Sequence, residues 1–100
     1  MEEEAFLLPD DKLEKVAYVL KTIGHPVRLK IISLLANNDH LSVNDIGEAC
    51  DLEQSLISHH LNNMKLKGIL HSQREGKSIY YGIKLEEVLH VIRCMKNCNL

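Results

Sequence analysis

The chain has no run of about 18 consecutive apolar residues, the length a helix needs to span a bilayer. Its start, with Glu2, Glu3 and Glu4, is acidic where a secretory leader is basic and then apolar. Both absences predict a soluble protein that stays in the cytoplasm. Cysteine is scarce and odd in number, Cys50, Cys94 and Cys98, which without an export signal points to reduced thiols or ligands rather than a disulfide framework. There is no tryptophan, no low-complexity tract and no internal repeat. No phosphate-binding glycine loop and no zinc-protease helix occurs. The six histidines assemble no nucleophile and base, because His59 and His60 are adjacent and diverge by about 100° on a helix. An enzyme is not expected.

A dominant charge is also missing, since the formal net charge is only −2. The charge is instead polarised. From Gln54 to Lys84 five basic residues (Lys65, Lys67, Arg74, Lys77, Lys84) face one acid, Glu75, a local balance of +4. The acids gather at the other end, where Glu2, Glu3, Glu4, Asp10, Asp11 and Glu14 outnumber Lys12 and Lys15. A basic segment within a near-neutral chain is compatible with phosphate. One hundred residues, 45% of them apolar, suit one core and are too few for two.

Periodicity orders the chain as helix, helix, helix, helix, hairpin, helix. Leu13, Val16, Ala17, Leu20 and Ile23 recur at helical spacing over residues 10–23, with Asp10 or Asp11 as the expected cap and Gly24 as the stop. His25-Pro26 opens a second helix, apolar almost all round through Val27, Leu29, Ile31, Ile32, Leu34 and Leu35, which predicts the central buried helix. After a loop at Asn37, Asn38 and Asp39, a short third helix runs from Val43 to Cys50. Ser42 caps it, and Val43, Ile46 and Ala49 turn inward, with Cys50 as buried packing. Asp51, Leu52 and Glu53 turn into a fourth helix ended by Gly68 as a left-handed carboxyl cap. Ile69 to Gln73 and Ser78 to Ile83 then read as strands around the glycine-containing turn Arg74-Glu75-Gly76-Lys77. Helical spacing returns from Leu85 to Asn97.

The fourth helix carries the functional signal. On a wheel of 100° per residue, Ile57, His60, Leu61 and Met64 fall on one side and Ser55, Ser58, His59 and Asn62 on the other. The second set is short, polar and uncharged, suited to hydrogen bonds at base edges rather than to simple solvation. Gln54 joins it by position, Lys65 as a phosphate contact, and Arg74 and Lys77 at the hairpin tip as phosphate or minor-groove contacts. His60 is expected to pack inward.

A short helix, a tight turn and a second helix with a polar outer face make a helix-turn-helix, and the hairpin after it is a wing. In HPVRLKIISLL, LSVNDI, SLISHHLNNMKLKGIL and REGKSIYYGI, in that order and spacing, the chain resembles the ArsR/SmtB family of bacterial winged-helix repressors over most of residues 20 to 84. The resemblance implies a homodimer built on the first and last helices, a recognition helix from about Gln54 to Lys67, and repression of transcription relieved by an inducer. A dimer also follows from the apolar stripes on the helices near residues 10–23 and 85–97, which a single winged-helix domain this small cannot cover alone. Two-fold symmetry would double the base contacts on an inverted repeat of double-stranded DNA.

The family's sensor positions are largely vacant. A cysteine pair opening the third helix would fall on Ser42 and Asn44, cysteines in the recognition helix on Asn63 and Lys67, and the second-helix member of a dithiol pair on Ser33. Ligands spread along the last helix match Glu86, Glu87 and His90 only loosely. What remains is Glu87, His90, Cys94 and Cys98, within about 80° of one another on one helix edge. Three readings stay open: a soft or borderline ion such as Zn²⁺ or Cu⁺, thiol oxidation or persulfidation, and no role. The competing functional class is a winged-helix domain that docks proteins through the polar helix face without reading DNA.

Overall fold

A computed structural model describes residues 7–100; Glu2, Glu3 and Glu4 of the acidic start lie outside the described residues. Five helices and three strands follow in the order α1 (Asp10–Ile23), α2 (Pro26–Asn37), β1 (Leu41–Ser42), α3 (Val43–Cys50), α4 (Gln54–Leu66), β2 (Leu70–Glu75), β3 (Ser78–Ile83) and α5 (Glu87–Lys96). The strands form one antiparallel sheet in the order β1-β3-β2. The architecture is a winged helix-turn-helix, mostly α with a small hairpin.

The helix ends are set locally. Pro9 precedes α1 and no side chain caps it, so Asp10 and Asp11 act through their charge in the first turn rather than as caps. Ser42 caps α3 as expected, accepting from the Asp45 amide at 3.0 Å while the Asp45 carboxylate accepts from the Ser42 amide at 3.3 Å. Asp51 closes α3 in the left-handed region, φ 55°, a conformation aspartate tolerates better than most residues. Gly68 follows α4 at φ 83°. The Ile69 amide then donates to the Met64 carbonyl at 2.9 Å and the Gly68 amide to that of Lys65 at 3.0 Å, the paired bonds of a Schellman motif. Its apolar contact residues, Met64 and Ile69, are both fully buried.

Helix α2 packs against α3, α4, α5 and β3, and is the centre of the core. Ile31, Ile32 and Leu35 are buried, and around them close Ile46 and Cys50 from α3, Ile57, Leu61 and Met64 from α4, Tyr81 from β3 and Val88 from α5. Each fully buried aliphatic side chain contributes about 1.5 to 3 kcal/mol. This cluster therefore fixes α3 and α4 against each other.

Four local expectations are corrected. Ala49 is exposed, and Gly47 and Cys50 take the inward side of α3 with Ile46. A third strand, β1, pairs Leu41 with Tyr81 and Ser42 with Tyr80; two residues are too few for an alternating pattern. The hairpin loop is only Gly76-Lys77, with positive φ at Gly76 (64°) but not at Lys77, the sign pattern of a type II′ turn. Arg74 accordingly lies on β2 opposite Ile79, not in the turn, because a polar run is tolerated on an edge strand. Finally, α5 ends at Lys96 with Asn97 as its cap, so Cys98 stands beyond the helix and does not share the edge carrying Glu87, His90 and Cys94.

Candidate nucleic-acid interface

Burial of one side of α4 creates the candidate surface. Ile57, Leu61 and Met64 have no exposed area and His60 only 6%, whereas Ser55, Ser58, His59, Asn62 and Lys65 are exposed. The amphipathic split expected from the sequence is therefore the one the helix adopts. Gln54, also exposed, begins the helix, and its amide donates to the Asn44 side-chain oxygen of α3 at 2.6 Å. Asn44 in turn donates to Glu48 at 3.3 Å.

The start of α3, the start of α4 and the wing enclose a groove of about 270 Å³. Gln54, Ser58 and Lys77 line it together with Asn44 and Ser78, neither of which the sequence reading placed among the DNA contacts. Asn44 and Ser78 lie one on a short helix and one on a strand, where only the fold brings them beside Ser58. Residues singled out separately as helix and wing contacts thus line one groove, with Val43 and Ile79 as its apolar part. Arg74 is exposed farther up the hairpin. Glu75, the one acid of the basic segment, is engaged by His40, whose Nε2 lies 3.1 Å from its carboxylate. The His40 ring stacks on Tyr80 at 4.4 Å, nearly parallel. This contact ties the wing to the loop before β1 and occupies the acid among the wing's cations.

His60 packs inward, as expected, but as part of a polar junction rather than apolar filling. Arg28 Nε donates to His60 Nδ1 at 3.0 Å, and Arg28 Nη1 donates to Asn63 Oδ1 and to the Thr22 carbonyl, both at 2.9 Å. Burial first, and then the neighbouring Arg28, His25 and His59, hold the His60 pKa below its ordinary value. Arg28 is a further residue that the sequence reading missed. Its signal was the one arginine of α2, in the first turn of a mostly apolar helix whose other charge is Lys30.

The cysteines divide. Cys50 is buried, and burial raises its thiol pKa more than Lys30 lowers it, which keeps it protonated and unreactive at neutral pH. Cys94 and Cys98 are free and exposed, as are Glu87 and His90. Among the described residues no three His, Cys, Asp or Glu side chains stand close enough to hold a metal ion. Glu87, His90, Cys94 and Cys98 of one chain therefore do not converge into a three-ligand site.

The terminal helices present an apolar surface. Leu13, Val16 and Leu20 of α1 are 46%, 38% and 47% exposed. A cleft of about 250 Å³ between α1 and α5 is walled by Val16, Val19, Leu20, Leu85 and Val91, with Lys12, Lys15 and Glu87 at its rim. No helix among the described residues is long and apolar enough to cross a membrane.

Known proteins carry the same arrangement. Residues 25–72 match the model of the bacterial regulatory proteins of the arsR family. An uncharacterised HTH-type transcriptional regulator of Methanocaldococcus jannaschii is 39% identical over 83 residues, 83% of this chain and 93% of that protein. The transcriptional repressor PagR of Bacillus anthracis is 40% identical over 83% of each chain. Its crystal structure superposes with a TM-score of 0.77 at 38% identity, over 87% of this chain and 99% of that one. The homodimeric winged helix-turn-helix DNA-binding domain of a possible regulator from Mycobacterium bovis superposes with a TM-score of 0.74 at 30% identity, over 89% of this chain and 84% of that one. These relatives are transcriptional regulators, a non-enzymatic class. With its recognition helix, wing and core in these positions, the chain belongs to the arsR family of bacterial regulatory proteins.

Proposed function

We propose that this DNA-binding regulator is a cytoplasmic repressor that acts as a homodimer on an inverted-repeat operator. One winged-helix domain makes up the chain, and the helices near residues 10–23 and 85–97 form the dimer interface. The observation that carries the reading is the one groove that brings Gln54 and Ser58 of α4 beside Lys77 of the wing, prolonged along α4 by the exposed polar row Ser55, His59, Asn62 and Lys65. Uncharged donors and acceptors on a helix seated by its opposite side are placed to read base edges in a major groove. Lys77 and Arg74 add sequence-independent attraction to the backbone.

The two half-sites should lie one helical turn, about 34 Å, apart on one face of the duplex. Selection of bound duplexes from a randomised pool, followed by footprinting, should return an inverted repeat with that spacing. Affinity for random duplex should fall steeply with salt. Salt-insensitive or absent binding would favour a protein-docking role for the α4 face.

The inducer acts on thiols in this reading. Cys94 on α5, the helix assigned to the interface, and Cys98 just past its end are exposed and free. His90 and Glu87 lie one and two turns before Cys94 on the same helix. A modification of either thiol would alter how two copies pack, and so the distance between their recognition helices.

A further inference from the structure

The polar junction at the meeting of α1, α2 and α4 is more than a satisfied interior. Arg28 occupies the first turn of α2, where the helix dipole disfavours a cation and where no acid accompanies it. Its position is decided by three acceptors on two other helices: the Thr22 carbonyl in the last turn of α1, and His60 Nδ1 and Asn63 Oδ1, three residues apart on α4. A cation at the end of α1 is electrostatically favoured, which offsets its placement on α2. A second tie runs parallel. Thr22 Oγ1 donates to the Tyr18 carbonyl at 2.8 Å, and Tyr18 Oη donates to the carbonyl of Lys67, the cap of α4, at 3.3 Å. The helix with the uncovered apolar face is thereby pinned to the helix with the polar reading face. His60 and Asn63 each directly follow an outward residue, His59 and Asn62.

The link has one titratable joint. To accept from Arg28, His60 Nδ1 must carry no proton. The groups facing the ring are Arg28 from α2, His25 from the α1–α2 connection at 4.8 Å between ring centroids, and His59 from α4 at 5.8 Å. None of the three is a carboxylate that could hold a proton on the ring by pairing with it. A proton on Nδ1 would replace an acceptor by a second donor 3.0 Å from a guanidinium.

We propose that Arg28 and His60 are positioning residues for DNA recognition, and that their bond is an acid-labile link holding the recognition helix α4 in register with the interface helix α1. The inference rests on the reading of α4 as the DNA-reading helix. At neutral pH the forked guanidinium fixes α4, and the competent orientation dominates. Protonation of His60 frees α4 to shift relative to α1, and apparent affinity for the specific site falls with the competent fraction.

The test uses the duplex that the wild-type full chain selects from a randomised pool at neutral pH, with a scrambled duplex as reference. The measured quantity is the ratio of the two affinities, because protonated surface histidines strengthen binding to any DNA. As pH falls from about 7.5 to well below the ordinary imidazole range, about 6.5, the wild-type ratio should fall severalfold. The fall lies below that range because burial and the neighbouring cation hold His60 unprotonated through it. His60→Asn places an oxygen where Nδ1 lies and cannot titrate, so it should keep the neutral-pH ratio and lose the acid-dependent fall. Arg28→Lys keeps the charge but not the fork. It should lower the ratio about tenfold at neutral pH with scrambled-duplex affinity unchanged. The nitrogen-15 resonance of His60 Nδ1 in the free wild-type protein should report an unprotonated nitrogen at neutral pH and change over the same pH range as the ratio.

An acid-dependent fall that persists in His60→Asn would overturn the proposal, as would equal losses on both duplexes in Arg28→Lys or a protonated Nδ1 at neutral pH. A Ser58→Ala, His59→Ala variant separates the two levels. If it binds the selected duplex as well as wild type, the reading of α4 itself fails; if it weakens while the Arg28 and His60 variants do not, only the positioning link fails.

Discussion

Helices α4 and α1 are both amphipathic, yet a single chain completes only one of them. Helix α4 buries Ile57, Leu61 and Met64 entirely and shows solvent a polar row. Helix α1 buries only Thr22 and Ile23, at its last turn, and leaves Leu13, Val16 and Leu20 more than a third exposed. The reading surface is thus a property of one chain, whereas the α1 surface becomes a core only when something apolar covers it. Single exposed leucines are ordinary; a helical row of them beside an apolar cleft is not. Folding and recognition geometry are in this way separated from assembly.

The sharpest way to break that comparison is to charge α1 while leaving α4 intact. Leu20→Asp should give a folded monomer, because Leu20 is 47% exposed and outside the core. Losing the second half-site contact removes the avidity of the pair, and operator affinity should fall by on the order of 100-fold. Sedimentation and duplex titration together check this. An unchanged dimer would move the interface off α1.

Altering α4 should leave the dimer alone and change what it reads. Ser58→Ala or His59→Ala removes a hydrogen-bonding group from the exposed row and should cost on the order of 1 to 3 kcal/mol on the specific site, and much less on random duplex. Equal losses on both would mean that the row touches only phosphate. The sensing prediction belongs to the other region. Cys94→Ser with Cys98→Ser should still dimerise and bind, but should no longer be released by peroxide or polysulfide, a coupling of about 1 to 3 kcal/mol. If wild type ignores both reagents, these thiols are not the sensor.

The wing supplies a smaller and less selective effect. In the Arg74→Ala, Lys77→Ala variant binding should weaken on every duplex, and the slope of log affinity against log salt should flatten by about 0.9 per lost phosphate contact. Arg74 lies on β2 and Lys77 in the two-residue turn, so the single variants should differ. Lys77, at the groove shared with Ser58, carries the larger share.

Much of this was legible in the sequence wherever one helix or one turn decides the outcome. The two sides of α4, the Ser42 cap of α3 and the glycine stop after α4 follow from periodicity and local hydrogen bonding, and each takes its expected place. Most of the failures share a cause, which is contact between distant segments. Strand β1 exists only because Tyr80 and Tyr81 of β3 stand beside it. The partnership of Asn44 and Ser78 with Ser58 requires α3, α4 and the wing to meet. Arg28 finds its acceptors 32 and 35 residues away on α4. Cys98 failed for the opposite reason, because helical spacing was extended past the point where the helix ends.

The smallest effect concerns stability, and it bears on whether the link between the two regions has an acid-labile joint. His60 has a pKa below its ordinary value, chiefly through burial and then through Arg28, His25 and His59. The unfolded chain therefore accepts a proton there at a pH where the folded chain refuses it, and acid favours unfolding. The stabilisation is fully present above the ordinary imidazole range, about 6.5, and is lost as pH falls below it toward the folded value. Denaturant midpoints measured across that interval should decline in wild type and decline less in His60→Asn, with the remaining slope belonging to other groups. A chain whose midpoint falls equally with and without His60 would have α1 and α4 held together by packing, by Arg28 bridging Thr22 and Asn63, and by the Tyr18 to Lys67 contact. In that case the polar link between assembly and recognition would stand without an acid-labile joint.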